Sequence, residues 1–243
     1  MTEFADLMDL LRAKARAHRT HDDQTYVIGV TGSVAVGKST LAEQIAEALS
    51  RDGEKPLVLN VDGFLYTNTV LQERNLSRRK GYPESYDLPA MRAALAAIKR
   101  GEQVSIPRYS HVTYDVDSSN PRIVERPAVV VLDGLHLGSI NSSRETLVDT
   151  LLYLDAAEDV VEAWFSDRLR ALMIEGREEP ASFYYAFRAM DDSAREAFIK
   201  MVWRDINLPN LRDHIVLDRM RADIVAHKAA DHMIDRIDLK SIS

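Results

Sequence analysis

The sequence predicts a three-layer α/β fold, with a mainly parallel central sheet and helices on both faces. Three observations predict it. Short apolar runs rich in β-branched residues alternate with stretches of helical period. One such run, residues 26–30, leads into Gly32-Ser33-Val34-Ala35-Val36-Gly37-Lys38-Ser39-Thr40, a complete G-x-x-x-x-G-K-[ST] loop. Two more runs end in Asp-Gly, at Asp62 and Asp133, placing carboxylates at the sheet edge where open α/β folds bind ligands.

Taken in order, residues 1–20 form an amphipathic helix, with Phe4, Leu7, Met8 and Leu11 on one face, packed at the edge of the domain. His21-Asp22-Asp23-Gln24 is a polar connector. The first strand, the loop and a helix carrying Leu41, Ile45 and Leu49 inward come next. Residues 55–61 are the second strand, and residues 67–86 are polar and irregular, with the basic triplet Arg78-Arg79-Lys80 expected on a solvated face. Asp87 caps a helix bearing Leu88, Met91, Leu95 and Ile98, which Arg100-Gly101 ends. Residues 103–115 contain a proline amid partial alternation and suit an edge hairpin or flap, spanning 103–125. Residues 128–132 read as a buried central strand and residues 151–155 as another. A helix follows from about Glu158 to Glu175, and an aromatic cluster from Phe183 to Phe187. A further helix begins at Asp191-Asp192-Ser193, and Pro209 is expected to stop it. Residues 222–226 and 233–239 are short final strands.

Composition narrows the function. The 243 residues contain no internal repeat, low-complexity tract or linker, so one domain, 1–243, is expected. A net charge of −7 supplies no basic field for nucleic acid. The absence of cysteine excludes disulfides, thiolate zinc sites and a cysteine nucleophile. No apolar run approaches the roughly 20 residues that span a bilayer, and the N-terminus lacks the apolar core of a signal peptide. A cytoplasmic protein, with neither nucleic acid nor membrane as partner, is the expectation.

The chemistry lies in the loop. Glycines at 32 and 37 allow close backbone approach, and successive N–H groups at a helix N-terminus then face phosphate oxygens. Lys38 reaches the β- and γ-phosphates, and the Ser39 hydroxyl serves Mg²⁺ with Asp133 as second anchor. Asp62 is the candidate acceptor of a substrate hydroxyl proton, and Arg168 a cation for the transferring phosphoryl group. Transfer to a small alcohol and hydrolysis by a switch protein both remain open. The absence of an N-K-x-D base-reading segment, together with the flap and the aromatic cluster, suits a kinase with a second small-molecule pocket.

Several segments together resemble the prokaryotic type I pantothenate kinases, within the phosphoribulokinase and uridine kinase group of P-loop kinases. They are Gly32 to Thr40, Asp62-Gly63-Phe64-Leu65, Lys80-Gly81-Tyr82-Pro83-Glu84-Ser85-Tyr86-Asp87, Tyr109-Ser110-His111-Val112-Thr113-Tyr114-Asp115 and Ile206-Asn207-Leu208-Pro209-Asn210-Leu211. The resemblance implies a P-loop NTPase-type fold and phosphorylation of the primary hydroxyl of pantothenate by ATP with Mg²⁺, the first step toward coenzyme A. It assigns Lys38 and Ser39 to phosphate and metal, Asp62 to the hydroxyl, and Arg168 to the transferring phosphate. It assigns His111, Tyr114 and Asn207 to the acceptor, His232 to the adenine, and Phe183 and Phe187, in pocket helices within 176–215, to the pocket wall. A homodimer is also implied. Three positions depart from the family's pattern: Phe165 stands where a substrate-touching tyrosine is usual, Asp133 where a glutamate is, and Glu43 where a basic residue linked to coenzyme A feedback is. Another small alcohol (a nucleoside, glycerate or a sugar phosphate) and a nucleotide-gated regulator without transfer activity are the rival readings.

Overall fold

The computed structural model describes residues 3–21, 24–51, 53 and 55–240, so Asp22 and Asp23 of the polar connector lie outside the described residues. The strands are β1 (Tyr26–Gly32), β2 (Pro56–Asn60), β3 (Val104–Ser110), β4 (Asp115–Val124), β5 (Val129–Asp133), β6 (Thr150–Asp155), β7 (Ile224–Lys228) and β8 (Ile234–Leu239). Six of them form one sheet in the order β2-β5-β1-β6-β7-β8, while β3 and β4 form a separate hairpin. Every neighbouring pair in the large sheet is parallel except β7 with β8.

The helices are α1 (Glu3–His21), α2 (Lys38–Ser50), α3 (Asn68–Glu73), α4 (Leu88–Lys99), α5 (Glu158–Gly176), α6 (Asp192–Val202), α7 (Leu208–Asn210) and α8 (Val216–Arg221). They cover both faces because side chains of a strand alternate. Tyr26, Ile28 and Val30 of β1 join Val129 and Val131 of β5 in a core with α1, α2 and α5. Val27, Val130 and Leu132 point the other way, into a core with α4 and the hairpin. Leu7 and Leu11 are fully buried; at about 2 kcal/mol each they fasten α1 to the edge as its apolar face predicts.

Register sets the site. Asp133 ends β5 opposite both Val30 of β1 and Asn60 of β2. The chain leaves β2 in a 3₁₀ turn, Val61–Phe64, capped by the Asn60 side chain. Gly63 is required there because the Pro107 carbonyl of the hairpin fills the space a Cβ would take. Pro107 itself falls at the register shift between Ile106 and Arg108, a bulge that tolerates its missing N–H.

Two expectations are corrected. Residues 67–86 are not irregular throughout: Thr67 caps α3, and 3₁₀ turns follow at Ser77–Arg79 and Pro83–Ser85. Nor does Pro209 stop the late helix, which winds on from α6 through a π-turn (Trp203–Asn207), α7, a second π-turn (Leu211–Ile215) and α8. The proline sits at the start of α7, just after the wide turn, where its missing N–H and ring are tolerated as at a helix N-terminus.

Candidate active site

The phosphate loop joins β1 to α2. Gly32 (φ 141°) abuts the Leu154 carbonyl of β6 where a side chain would stand. Ala35 (φ 61°) and Gly37 (φ 98°) are left-handed, and Gly37 begins α2 with no side-chain cap. The first N–H groups of α2 therefore face into the loop without a side-chain partner, as an anion site requires. Lys38 Nζ donates to the Ser33 carbonyl at 2.7 Å. Ser33 Oγ is buried without a partner. Val34 is half-buried, Val36 buried, and Thr40 exposed on α2.

Two carboxylates stand beside the loop. Asp133 Oδ2 accepts from Ser39 Oγ at 2.6 Å and from Asn60 Nδ2 at 3.1 Å. Asp62 Oδ1 accepts from Tyr86 Oη at 3.1 Å, and its backbone N–H donates to Asn60 Oδ1 at 2.7 Å. Asn60 thus bridges both acids. Burial first, then the charge of Asp133, push the Asp62 pKa above the ordinary carboxylate value. Burial lowers the Lys38 pKa, against the attraction of Asp133 and Asp62.

The hairpin turn carries His111 and Tyr114. His111 is exposed, its ring 5.2 Å from that of Tyr109, within electrostatic reach of Asp62. Tyr114 (φ 53°) stacks on Phe183 at 4.9 Å, and the turn is tied to that segment by Phe183 N–H donating to the Val112 carbonyl. Phe187 lies between Phe183 and Phe198. Arg168 is exposed on α5, and its charge acts on Lys38, Tyr114 and Tyr184. Asn207 lies in the first π-turn, donating to the Val202 carbonyl. Phe165 is buried against Trp203, at 5.6 Å. His232 (φ 69°) stacks on Trp164 at 4.3 Å.

Lys38, Ser39, Asp62 and Asp133 are thus brought together, with His111, Tyr114 and Arg168 within their electrostatic reach. Phe165 belongs to the core with Trp203, and His232 stacks on Trp164, whose ring Lys228 also approaches.

Sequence reasoning missed several neighbours. Lys80 is not on a solvated face: its Nζ donates to Asn68 Oδ1 and the Tyr114 carbonyl, lies over the Tyr114 ring, and burial brings its pKa down to about 8. Only the arrival of the hairpin buries it, which no local pattern signals. Asn60 was signalled by its place two residues before Asp62, as an Asx cap. Lys228, at the end of β7, donates to the Val36 carbonyl of the loop and lies 5.0 Å from the Trp164 ring. It also lines an open cleft of about 640 Å³ with Asp155, Arg219 and His227, beside the carboxyl ends of β6 and β7.

Residues 27–171 match the model of the phosphoribulokinase / uridine kinase family. The chain belongs to that family. Among curated relatives, the pantothenate kinase of Agrobacterium fabrum (strain C58) is 38% identical over 229 residues, covering 89% of this chain and 71% of the relative. That of Limosilactobacillus fermentum is 36% identical over 222 residues, covering 88% and 72%. Among solved structures, the D-glycerate 3-kinase of Cryptococcus neoformans superposes with a TM-score of 0.66 at 14% identity, covering 98% of this chain and 99% of that one, a likeness of fold. Family membership makes the chain an ATP-dependent kinase of the P-loop fold.

Proposed function

We propose that this chain transfers the γ-phosphoryl group of ATP to the primary hydroxyl of pantothenate. The observation that carries this reading is the 36–38% identity to pantothenate kinases along nearly nine-tenths of the chain. The Asp62, Lys38 and Ser39 geometry is consistent with it.

The triphosphate lies against the main chain of Gly32, Ser33, Val34, Ala35, Val36 and Gly37, with Lys38 and Thr40 beside it. The unpartnered Ser33 Oγ and the uncapped start of α2 suit that ligand. Ser39 and Asp133 would hold Mg²⁺, which would neutralise phosphate charge there. One carboxylate and one hydroxyl fit an ion that keeps waters and phosphate oxygens as its other ligands, and among the described residues no group of three or more His, Cys, Asp or Glu forms a cage. The acceptor oxygen bonds to the γ-phosphorus as the β–γ bridging bond breaks, its electron pair leaving with ADP. Asp62 takes the hydroxyl proton, and Lys38 and Arg168 stabilise the charge that spreads over the transferring group. His111, Tyr114 and Asn207 hold the acceptor, Phe165 flanks it without a hydroxyl, Phe183 and Phe187 wall its far end, and His232 meets the adenine. The enzyme works in the cytoplasm as a homodimer of one-domain subunits, an assembly that sedimentation would measure. Among the described residues no helix is long and apolar enough to cross a membrane.

Phe165, which brings no hydroxyl to the pocket, favours a second reading in which the acceptor is another small alcohol. ADP release measured with pantothenate, D-glycerate, uridine and ribulose 5-phosphate separates the two. Turnover with pantothenate is expected; silence with it and turnover of another alcohol overturns the substrate assignment.

A further inference from the structure

One main-chain oxygen joins three parts of the site. The Gly81 carbonyl accepts from His136 Nε2 at 2.8 Å and from Asn210 Nδ2 at 2.8 Å. His136 and Asn210 are each 4% exposed, so neither bond competes with bulk water. Burial brings the His136 pKa down to about 4, so at neutral pH the ring is uncharged. With a carbonyl opposite, its proton sits on Nε2.

Each partner follows a candidate site residue closely in the chain. His136 is three residues beyond Asp133, in a left-handed conformation (φ 61°, ψ 24°) that turns its ring toward the 80–86 loop. Asn210 is three residues beyond Asn207, between the two π-turns. Gly81 (φ 89°) lies in the loop that holds Lys80 against the Tyr114 carbonyl and Tyr86 against Asp62. The same loop is braced internally, since Gly81 N–H donates to Ser85 Oγ and Ser85 Oγ to the Tyr82 carbonyl. The His136 and Tyr86 rings meet edge to face at 6.1 Å.

We infer that His136 and Asn210 are positioning residues: by clamping the Gly81 carbonyl they fix the distance between the nucleotide side of the site, at Asp133, and the acceptor side, at Lys80 and Tyr86. Neither touches a reacting atom. Their effect reaches the reaction through Tyr86, whose hydroxyl orients Asp62, and Lys80, whose ammonium holds the hairpin turn. This inference rests on the acceptor-site reading above.

The test compares two amides of different length at 136. Glutamine places its Nε2 about where the imidazole Nε2 stands, whereas asparagine is too short to reach Gly81. Asparagine, however, tolerates the left-handed backbone better. A stability role alone therefore favours His136→Asn, and a clamp favours His136→Gln. With the acceptor that the parent turns over best, kcat is expected to fall about tenfold in His136→Asn. His136→Gln stays within about threefold of the parent, and KM for ATP stays near the parent value in both. Asn210→Ala serves as the independent second variant, with the same split of kcat from ATP KM. Equal kcat in His136→Asn and the parent overturns the clamp, as does a ranking with His136→Gln the slower, or a parallel loss of ATP affinity. A parent that ignores pantothenate but uses another alcohol overturns the substrate reading and leaves the clamp to be judged with that alcohol.

Discussion

The two halves of the site are built differently. The nucleotide half is nine consecutive residues whose shape is fixed by main-chain geometry at Gly32, Ala35 and Gly37. The proposed acceptor half is drawn from the 80–86 loop, the hairpin turn, the Phe183–Phe187 turn and the late helix. It is assembled by side chains: Lys80 over Tyr114, Tyr114 on Phe183, and one main-chain bond from Phe183 to Val112. A backbone-coded cradle binds what every nucleoside triphosphate shares. A side-chain assembly of this kind would bind what distinguishes one alcohol from another, and single substitutions would retune it.

The largest expected effect is at the junction of the halves. Asp62→Asn is expected to lower kcat by about 10³ while raising the melting temperature. Burial and Asp133 raise the Asp62 pKa in the folded chain. A raised carboxyl contributes stability below its unfolded value and loses it as pH climbs through the folded one, so at neutral pH its ionised form is a net cost that asparagine removes. Activity has the opposite dependence: kcat/KM is lost as pH falls through the raised value of the free enzyme, so its acid limb lies above the ordinary carboxylate range. A pH–rate profile and a thermal scan measure both, and a variant as fast as the parent would discard Asp62 as the base.

Next come two substitutions that should separate the halves. In Gly37→Ala the new Cβ lies 2.6 Å from Lys228 Nζ at a φ of 98°, so KM for ATP is expected to rise about tenfold with acceptor KM little changed. Phe183→Ala removes the platform under Tyr114, so acceptor KM is expected to rise about tenfold with ATP KM little changed. If either substitution moves both constants together, the halves are one cooperative unit and the contrast fails.

The same contrast explains what was legible in the sequence. The sheet strands and the loop are local: β5 is five consecutive buried residues, and Asp87 caps α4 in the turn it starts. Pairing partners 94 residues apart, such as Ser39 with Asp133, were reachable because both lie at strand or helix ends on one sheet edge. Lys80 and Lys228 were not, because each is half-buried by an element distant in the chain, the hairpin for one and the phosphate loop for the other. Pro209 misled for a related reason: breaking rules assume α-helical turns, and two π-turns carry the helix past it.

The smallest effect concerns charge around the otherwise backbone-coded half. Glu43 is exposed on α2, within the field of Arg122, which donates to the Val58 carbonyl and also feels Arg108. The acid cancels one of these two guanidinium charges, so a polyanionic ligand approaching over α2 meets about half the attraction that the pair alone would supply. Coenzyme A is therefore expected to inhibit the parent weakly. Glu43→Arg adds a third cation beside Arg108 and Arg122 and should lower the coenzyme A inhibition constant about fivefold at low salt, with the gain shrinking as ionic strength rises. Because the change adds charge without altering the loop, KM for ATP should shift less than the inhibition constant. Tight, ATP-competitive inhibition of the parent would mean that Arg108 and Arg122 already suffice, and that the acid at 43 is electrostatically silent.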